Sequence, residues 1–462
     1  MSKTILGIDI GSTKVCAVIA QKNGDHIKIA GSGISKSKGL KKGIITNIEL
    51  SSKSIKEAID EAKKVAGTNI DKVIVSISGA YTKSVESYGV VNIPDKEIGI
   101  KEINRVMMMA DHNANIPSDY ERIHVLPYNF KVDDQEFIDD PLGMNGNRLE
   151  VHVHIITAQK TALNNLKKAV ELSGVAIDNI VLTGYASSIA VLNEDEKELG
   201  AAVIDMGGAT CDLVINSNNS IRYNDFLAVG SNNITMDLSM ALHTPLNEAE
   251  SVKIKYGSLK NISSETIELP IIGDDNKKNE VSLEIVSNVI YARVEETLMI
   301  LAKSIDESGF KDQIGAGIVL TGGLTKLEGL RELAVAIFDN LPVRIAKPKK
   351  LDGMFETLKD PVYATSIGLV LYGCGEFTPY EIDSNKKLRY KNEVLEPTQN
   401  TQGDLDKLNT LDALDDINSI NDIKIDKKPK QKDEIVDIKK LKKTNSFNEK
   451  ISRFWNTITQ LF

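Results

Sequence analysis

The sequence predicts an α/β fold made of two related halves, with a further subdomain inserted in the first half. The main observation is an internal repeat, because residues 5–19 and residues 202–215 read almost alike. Each segment reads as an apolar strand, an Asp-x-Gly turn of small residues with a Thr, and a second apolar strand. This is the pattern of a β-hairpin with a functional turn, and helical periodicity follows it in both halves. The repeat therefore indicates a duplicated architecture.

The composition is that of a globular protein with more than one domain. The chain has 462 residues, of which 41% are hydrophobic and 26% charged, and one hydrophobic core rarely supports this length. The net charge of −9 argues against a nucleic-acid partner, since that binding needs clustered Lys and Arg. Cys16, Cys211 and Cys374 lie far apart without metal-ligand spacing, which fits a reducing cytosol. No apolar run is long enough to span a membrane.

The order of elements suggests where the domains begin and end. Helical periodicity covers two stretches in each half, residues 54–66, 160–172, 248–256 and 289–305. Between the first two of these, about 80 residues carry strand patterns of their own, at residues 123–132 and 151–156. We therefore assign residues 1–190 to the first half, about 80–163 to an inserted subdomain, and 191–380 to the second half.

The segment that follows the second half has the composition of a linker. Asp, Asn and Lys dominate it, and Tyr390 is its only aromatic residue before residue 447, so it cannot build a packed core. We assign residues 381–443 to this linker. As a flexible coil it would have a root-mean-square reach of roughly 40 Å.

The two repeated turns have the chemistry of a phosphate site. A turn rich in Gly, Ser and Thr lets backbone N–H groups and hydroxyls converge on phosphate oxygens. The candidates are Ser12, Thr13, Gly207, Gly208 and Thr210. Asp9 and Asp205, each at the end of an apolar strand, could hold a hydrated Mg²⁺ between facing turns. An Asp-x-Gly turn can also serve only to close a tight hairpin, but two matched copies favour binding.

A third glycine segment follows in the second half, at residues 316–327. It reads as an apolar strand that delivers Gly322 and Gly323 into a helix, and such a turn permits close approach by a flat base or ribose. Alone this is a weak signal, because many α/β proteins use the same arrangement for packing. Its position after two phosphate turns makes it specific.

This order of turns resembles the actin, sugar kinase and Hsp70 superfamily, and in detail the chain is similar to the FtsA family of bacterial division proteins. The resemblance covers residues 1 to about 375 and the terminal helix, and its matching stretches are residues 7–19, 39–48, 153–157, 182–188, 203–214, 317–329 and 363–369. It implies an actin-like fold of duplicated ribonuclease-H-like halves that binds ATP and Mg²⁺. The implied nucleotide-binding residues are Asp9, Gly11, Ser12, Thr13, Lys14, Asp205, Gly207, Gly208, Thr210, Lys253, Gly322 and Gly323.

Three further expectations follow from the resemblance. Ala209 stands where the superfamily usually has a third glycine, so we expect ATP binding with weak hydrolysis or none. Lys253 lies on a helix that flanks the nucleotide, where it either contacts ribose or phosphate or belongs to a solvated face. Arg293 and Glu296 share a helical face that would receive the C-terminal peptide of the tubulin-like FtsZ, and an ordinary surface ion pair is the alternative.

His152 and His154 would share one face of a strand, as a pair of metal ligands might. Because no third ligand is visible in the sequence, we interpret them as ordinary sheet histidines.

The last 16 residues predict an amphipathic helix that lies on a membrane. Large apolar side chains fall within an arc of about 120°, and they are Phe447, Ile451, Phe454, Trp455, Ile458, Leu461 and Phe462. Residues 427–443 hold eight lysines against three acidic residues, which suits anionic lipid. Packing of residues 444–462 back onto the chain's own domain or into the groove of a partner is the alternative.

Taken together, the resemblance implies an ATP-binding adaptor that self-assembles into filaments and tethers the FtsZ ring. Its place would be the cytoplasmic side of the cell membrane at the division site. A sugar or acid kinase and a pilus-assembly platform of the same superfamily are the alternatives. An Hsp70-like chaperone would need a folded domain after residue 380, where a linker is predicted.

Overall fold

A computed structural model describes residues 2–260, 264–339 and 341–390, apart from the side chains of residues 274–276. The predicted linker from residue 391 onward lies outside the described residues. So does the predicted membrane helix with Phe447, Ile451, Phe454, Trp455, Ile458, Leu461 and Phe462. Within the described ranges, no helix is both long and apolar enough to cross a bilayer.

The first half opens with the predicted hairpin. Asn47 caps the first helix through its side chain, which accepts from Leu50 N, and Gly67 ends that helix in the left-handed conformation. The elements are β1 (Lys3–Ile10), β2 (Lys14–Asn23), β3 (His26–Lys36), β4 (Leu40–Lys41), β5 (Ile44–Ile45), α1 (Ile48–Ala66) and β6 (Lys72–Ile77).

The inserted subdomain is a four-stranded antiparallel sheet with one helix against it. Its elements are β7 (Thr82–Asn92), α2 (Ile100–Asn113), β8 (Tyr120–Val132), β9 (Gln135–Ile138) and β10 (Arg148–Gln159). The strand order is β7-β10-β8-β9. The sheet ends at Gln159, before the predicted boundary at residue 163, because the helix that begins at Lys160 packs against α1.

The chain then completes the first half and crosses to the second. The elements are α3 (Lys160–Glu171), β11 (Asn179–Leu182), α4 (Thr183–Val191), α5 (Glu194–Leu199), β12 (Ala201–Met206), β13 (Cys211–Ser217), β14 (Ser220–Leu227), α6 (Ser231–Ala241), α7 (Leu246–Tyr256), β15 (Thr266–Ile271), β16 (Asp274–Ser282), α8 (Leu283–Glu307), β17 (Gly317–Thr321), α9 (Leu330–Ile337), β18 (Val343–Ile345) and α10 (Ala364–Gly373). Short 3₁₀ turns cover Lys311–Gln313, Gly323–Lys326, Glu356–Lys359 and Pro361–Tyr363.

The two main sheets repeat the same topology. The first has the order β11-β6-β1-β2-β3, and the second has the order β14-β13-β12-β17-β18. In both, three antiparallel strands are followed by two parallel neighbours. The duplication predicted from the repeated hairpins is therefore present in the strand order.

The third glycine segment differs from its prediction in one respect. A 3₁₀ turn at Gly323–Lys326 stands between β17 and the next helix, which begins only at Leu330. The Gly-Gly pair therefore opens into a tight turn rather than directly into a helix.

The division at residue 380 is wrong, because the end of the folded body returns to the first half. Helix α10 is apolar on all sides and packs into the core of the first half. A methyl group at Gly368 would lie 1.8 Å from Ala186 O, so α10 crosses α4 at very close range. A helix that is apolar all round needs burial on every side, and the two halves provide it here.

Residues 381–390 are likewise part of the folded body and not of the linker. Glu381 is fully buried, where its carboxylate accepts from Tyr185 Oη at 2.8 Å and from Tyr372 Oη at 2.5 Å. Ile382 exchanges two backbone hydrogen bonds of 3.0 Å with Val125 of β8. Pairing with tyrosine hydroxyls and a strand edge explains how a polar segment can be buried.

The inserted subdomain also contacts the second half. Asn224 Oδ1 on β14 accepts from Ser84 Oγ at 2.6 Å and lies 3.2 Å from His154 Nε2. The Arg222 guanidinium stacks over the Tyr128 ring at 3.6 Å. The insert thus touches both halves.

Candidate nucleotide-binding site

The two repeated turns close in the same way. Gly11 N donates to Lys14 O at 3.0 Å, and Gly207 N donates to Thr210 O at 2.8 Å. A methyl group at Gly11 would lie 2.9 Å from Lys14 O, and one at Gly207 would lie 3.0 Å from Thr210 O. Each turn therefore needs glycine at its first position. The turns therefore share one backbone geometry.

The turns also lie against each other across the two halves. A methyl group at Gly208 would be 2.5 Å from Thr13 Cγ2 and 2.6 Å from Thr13 Oγ1. The structure thus brings together the small residues that the sequence assigned to phosphate binding. Two turns of small residues that meet from opposite halves suit a chain of phosphates.

Asp9 lies at the end of β1 beside the first turn. It is buried, accepts from Ser76 Oγ at 3.2 Å and lies 3.9 Å from Lys14 Nζ. Burial raises the pKa of Asp9, the Lys14 ammonium opposes that rise, and the Asp205 carboxylate adds to it. Mutual repulsion between two buried carboxylates is the electrostatic setting that a divalent cation relieves.

Asp205 occupies the equivalent place in the second half. Its Oδ2 accepts from Ser187 Oγ at 2.6 Å and from Thr365 Oγ1 at 3.0 Å. Gly322 packs closely against its other oxygen, since a methyl group there would lie 2.3 Å from Asp205 Oδ1, and Gly322 has a φ of 89°. The third glycine segment thus supports the carboxylate directly.

Asp212 is a site residue that sequence reasoning missed. It pairs with Asp205 across β12 and β13, and its Oδ1 accepts from Gly79 N at 3.0 Å. Burial raises the pKa of Asp212 to about 7, and the Asp205 carboxylate adds to the rise. A signal was available in the repeat itself. When the two hairpins are aligned, Asp212 stands where the first hairpin has Cys16, so the second strand of the second hairpin carries an additional carboxyl group.

The carboxylates fit a hydrated metal ion better than a fully protein-bound one. Among the described residues, no group of three or more His, Cys, Asp or Glu side chains is placed to hold a metal. Mg²⁺ usually keeps several waters and needs only one or two carboxylates beside substrate phosphates. Asp9 and Asp205 meet that requirement.

Two more elements fix the turns in place. Ser12 Oγ accepts from Gly43 N at 2.7 Å, which ties the first turn to the loop between β4 and β5. The start of α6 serves the second turn, since Ser231 N donates to Gly207 O at 3.1 Å and Asn232 N donates to Gly208 O at 2.7 Å. Both turns are therefore held by neighbouring backbone.

Comparison with known proteins identifies the family. The model for the cell division protein FtsA matches residues 202–368, and the model for the SHS2 domain inserted in FtsA matches residues 79–157. A cell division protein FtsA from Helicobacter pylori is 43% identical over an alignment of 419 positions, and the match covers 84% of this chain and 85% of that protein. The chain belongs to the FtsA family of cell division proteins. Its role is therefore in cell division.

Other relatives agree with this assignment. An FtsA from Pseudomonas aeruginosa is 40% identical over 375 residues, which are 80% of this chain and 89% of that protein. A solved PilM–PilN type IV pilus biogenesis complex has a chain with a TM-score of 0.56 at 19% identity, covering 80% of this chain and 98% of that chain. This structural likeness concerns the fold alone. The predicted actin-like α/β fold with an inserted subdomain is confirmed.

Lys14 and Lys253 are both engaged within the protein. Lys14 Nζ donates to Val362 O at 2.8 Å. Lys253 Nζ donates to Glu250 Oε2 at 2.6 Å, to Thr235 Oγ1 at 2.9 Å and to Ser231 O at 3.1 Å. The side chain of Lys253 is only 10% exposed, so the solvated-face alternative is wrong.

Arg293 and Glu296 share a face of α8, as their spacing predicted. Arg293 Nη1 lies 2.5 Å from Glu296 Oε2, and its Nε also lies 2.6 Å from Asp237 Oδ2 on α6. The ion pair that was the alternative is therefore present in the structure, and the Arg293 side chain is 20% exposed. It ties two helices of the FtsA-family second half together.

The two histidines of β10 are sheet histidines, as interpreted. His154 is buried, and burial lowers its pKa to about 4. His152 lies between the rings of Tyr88 and Tyr128, each with its centroid 6.1 Å away.

Proposed function

We propose that this FtsA-family chain binds ATP with Mg²⁺ between its two glycine turns and uses it to control self-assembly into filaments. The filaments tether the FtsZ ring to the inner face of the cell membrane at the division site. The binding of nucleotide is supported by the close approach of Gly208 to Thr13. At this point the two matched turns meet, and each turn follows a strand that carries a buried carboxylate at its end.

The residues act on the nucleotide by position and charge. Backbone N–H groups and the hydroxyls of Ser12, Thr13 and Thr210 receive phosphate oxygens, and Asp9 and Asp205 orient the hydrated metal ion. The ion offsets phosphate charge when it is bound. Gly322 and Gly323 leave room for the base and ribose. Ala209 narrows the approach to the last phosphate, so ATP acts mainly as an assembly ligand.

The peptide surface of the proposal centres on α6 and α8. Met236 and Met240 are 54% and 59% exposed on α6, and they flank Asp237, which holds Arg293. Exposed methionines beside a fixed arginine suit a short peptide with apolar and acidic groups. The FtsZ C-terminal peptide is the proposed occupant, with Arg293 and Glu296 at its edge.

A peptide-binding measurement tests this surface. We expect Met236→Gln to weaken the complex with an FtsZ C-terminal peptide about tenfold, because apolar contact area is lost. Arg293→Lys should weaken it by a similar factor, because lysine cannot make the bidentate contact of arginine. Ile254→Gln on α7 is the control, since Ile254 is 74% exposed. Melting temperatures separate loss of binding from loss of fold. Equal peptide affinity in all four proteins would refute the surface.

The membrane part of the proposal rests on residues 444–462. Seven apolar side chains on one face of the predicted helix would bind lipid modestly, and assembly of several subunits would make attachment firm through effective concentration. Pelleting of the full chain with anionic lipid vesicles tests this, with and without ATP and Mg²⁺.

Truncation after Lys443, or Trp455→Glu, should abolish pelleting by removing apolar surface, while ATP binding is unchanged. Ser452→Glu is the matched control, because the helical periodicity predicts Ser452 on the polar face opposite the seven apolar side chains, and this variant should still pellet. A truncated protein that still pellets would contradict the proposed attachment.

A further inference from the structure

The hairpin of β4 and β5 holds the first turn in place through Gly43, but none of its side chains has an assigned part in nucleotide binding. Lys41 pairs with Ile44, so Lys42 and Gly43 form a two-residue loop. Their φ angles are 50° and 79°, as in the type I′ turn that matches strand twist. Lys42 therefore holds a left-handed conformation that Asn, Asp or Gly adopts more readily. Such outliers gather at functional sites.

This loop is fastened to the first phosphate turn. Gly43 N donates to Ser12 Oγ at 2.7 Å. A methyl group at Gly43 would lie 2.3 Å from Ser78 Oγ, so the loop fills a narrow space between Ser12 and Ser78. The Cα atom of Lys42 is one peptide unit, about 3.8 Å, from that of Gly43. The lysine side chain is thus long enough to reach a group bound at the turn.

Lys42 also differs from the other site lysines in its charge balance. Lys14 and Lys253 are engaged with Val362 O and Glu250. Lys42 is exposed, and across the part of the chain that the structure describes it has no carboxylate partner. A nucleoside triphosphate with one Mg²⁺ keeps a net negative charge at its terminal phosphate, and an ammonium group offsets such a charge as a point cation.

We propose that Lys42 is the cation that recognises the terminal phosphate of a bound nucleoside triphosphate. The inference rests on the proposed nucleotide site and assigns it a third element. A hydroxyl both accepts and donates, so Ser12 Oγ can keep the hydrogen bond from Gly43 while it donates to a phosphate oxygen. Lys42 and Ser12 then act on one phosphate together. A diphosphate lacks that group, so the loop distinguishes ATP from ADP.

The test is calorimetric titration of the full chain with ATP and with ADP, both with Mg²⁺. Lys42→Asn removes the charge, and asparagine suits the left-handed turn. The variant should therefore lower the affinity for ATP at least about tenfold and the affinity for ADP less than about twofold. Lys42→Arg keeps the charge and should retain ATP binding. Lys41→Asn, one residue away in the same hairpin, is the matched control and should change neither affinity.

The outcomes separate this inference from the proposed function. The role of Lys42 alone is overturned if the wild-type chain binds ATP but Lys42→Asn lowers the affinities for ATP and ADP equally, or lowers neither. A wild-type chain that binds no nucleotide overturns the proposed site and this inference with it. An unchanged circular-dichroism melting curve for Lys42→Asn ensures that a selective loss of ATP reports on charge and not on folding.

Discussion

Asp9 and Asp205 end equivalent strands of the two halves, but their surroundings differ. Asp205 accepts two hydroxyl hydrogen bonds, at 2.6 Å from Ser187 and 3.0 Å from Thr365. Asp9 accepts one at 3.2 Å from Ser76 and relies on a lysine 3.9 Å away for charge balance. The comparison shows that duplication repeated the backbone of the site while its electrostatics diverged. Asp205 is therefore held by more hydrogen bonds than Asp9.

The neighbouring strand sharpens the contrast. Cys16 faces Asp9 in the first hairpin, whereas Asp212 faces Asp205 in the second. Two carboxyl groups therefore lie side by side in the second half, and three tests examine the consequences.

The largest effect is expected at Gly322, which supports Asp205 and has no such role toward Asp9. Gly322→Ala places a methyl group 2.3 Å from Asp205 Oδ1 and 2.6 Å from Met206 O at a φ of 89°. We expect the free energy of unfolding to fall by about 3 kcal/mol or more in urea titrations. Gly323→Ala is the control, because its nearest neighbour would be Val362 Cγ2 at 3.6 Å. Equal losses in both variants would mean that this contact does not hold Asp205.

The second test compares the carboxylates themselves. Asp205→Ala should lower the affinity for ATP with Mg²⁺ about a hundredfold, and Asp9→Ala about tenfold, because Asp205 is oriented by two hydroxyl hydrogen bonds and Asp9 by one. Calorimetric titration with Mg²⁺ and with EDTA measures both, and EDTA should remove the difference. The opposite ranking would reverse our interpretation of the two environments.

The smallest effect concerns pH and Asp212. The pKa of Asp212 is raised to about 7 in the folded chain from its usual 3.8, so the folded state holds a proton that the unfolded state releases. Its contribution therefore destabilises the fold increasingly as pH rises from about 4 to about 7.

Asp212→Asn keeps an acceptor for Gly79 N–H and removes the charge. The variant should be more stable than wild type by roughly 1–2 kcal/mol near pH 8 and equal near pH 4, measured by urea unfolding. A difference that is constant with pH would assign the effect to packing.

Sequence patterns were sufficient for the turns and the halves, because each depends on local chemistry. Asp9, Gly11, Asp205 and Gly207 follow from a strand and turn pattern that needs no tertiary information. The hydroxyl donors Ser187 and Thr365 come from helices far along the chain and leave no periodic signal. Their place at Asp205 depends on how α4 and α10 cross.

The boundary after residue 380 failed for a related reason. Composition classifies residues 381–390 as polar, but burial depends on partners. Glu381 has two tyrosine hydroxyls and Arg389 stacks on Phe377 at 3.9 Å, so these charges are accommodated inside the body. The pairing is invisible until the fold is known.

The return of the chain to the first half also determines how the molecule would carry tension. Residue 390 follows a segment joined to β8 through Ile382 and to β11 through Ser384, whose Oγ accepts from Ile180 N at 2.9 Å. A force applied at residue 390 would therefore load the hydrogen bonds of this segment to β8 in the insert and to β11 in the first half. It does not pass through the strands that carry Asp205. The first half and the insert would therefore bear such a load first.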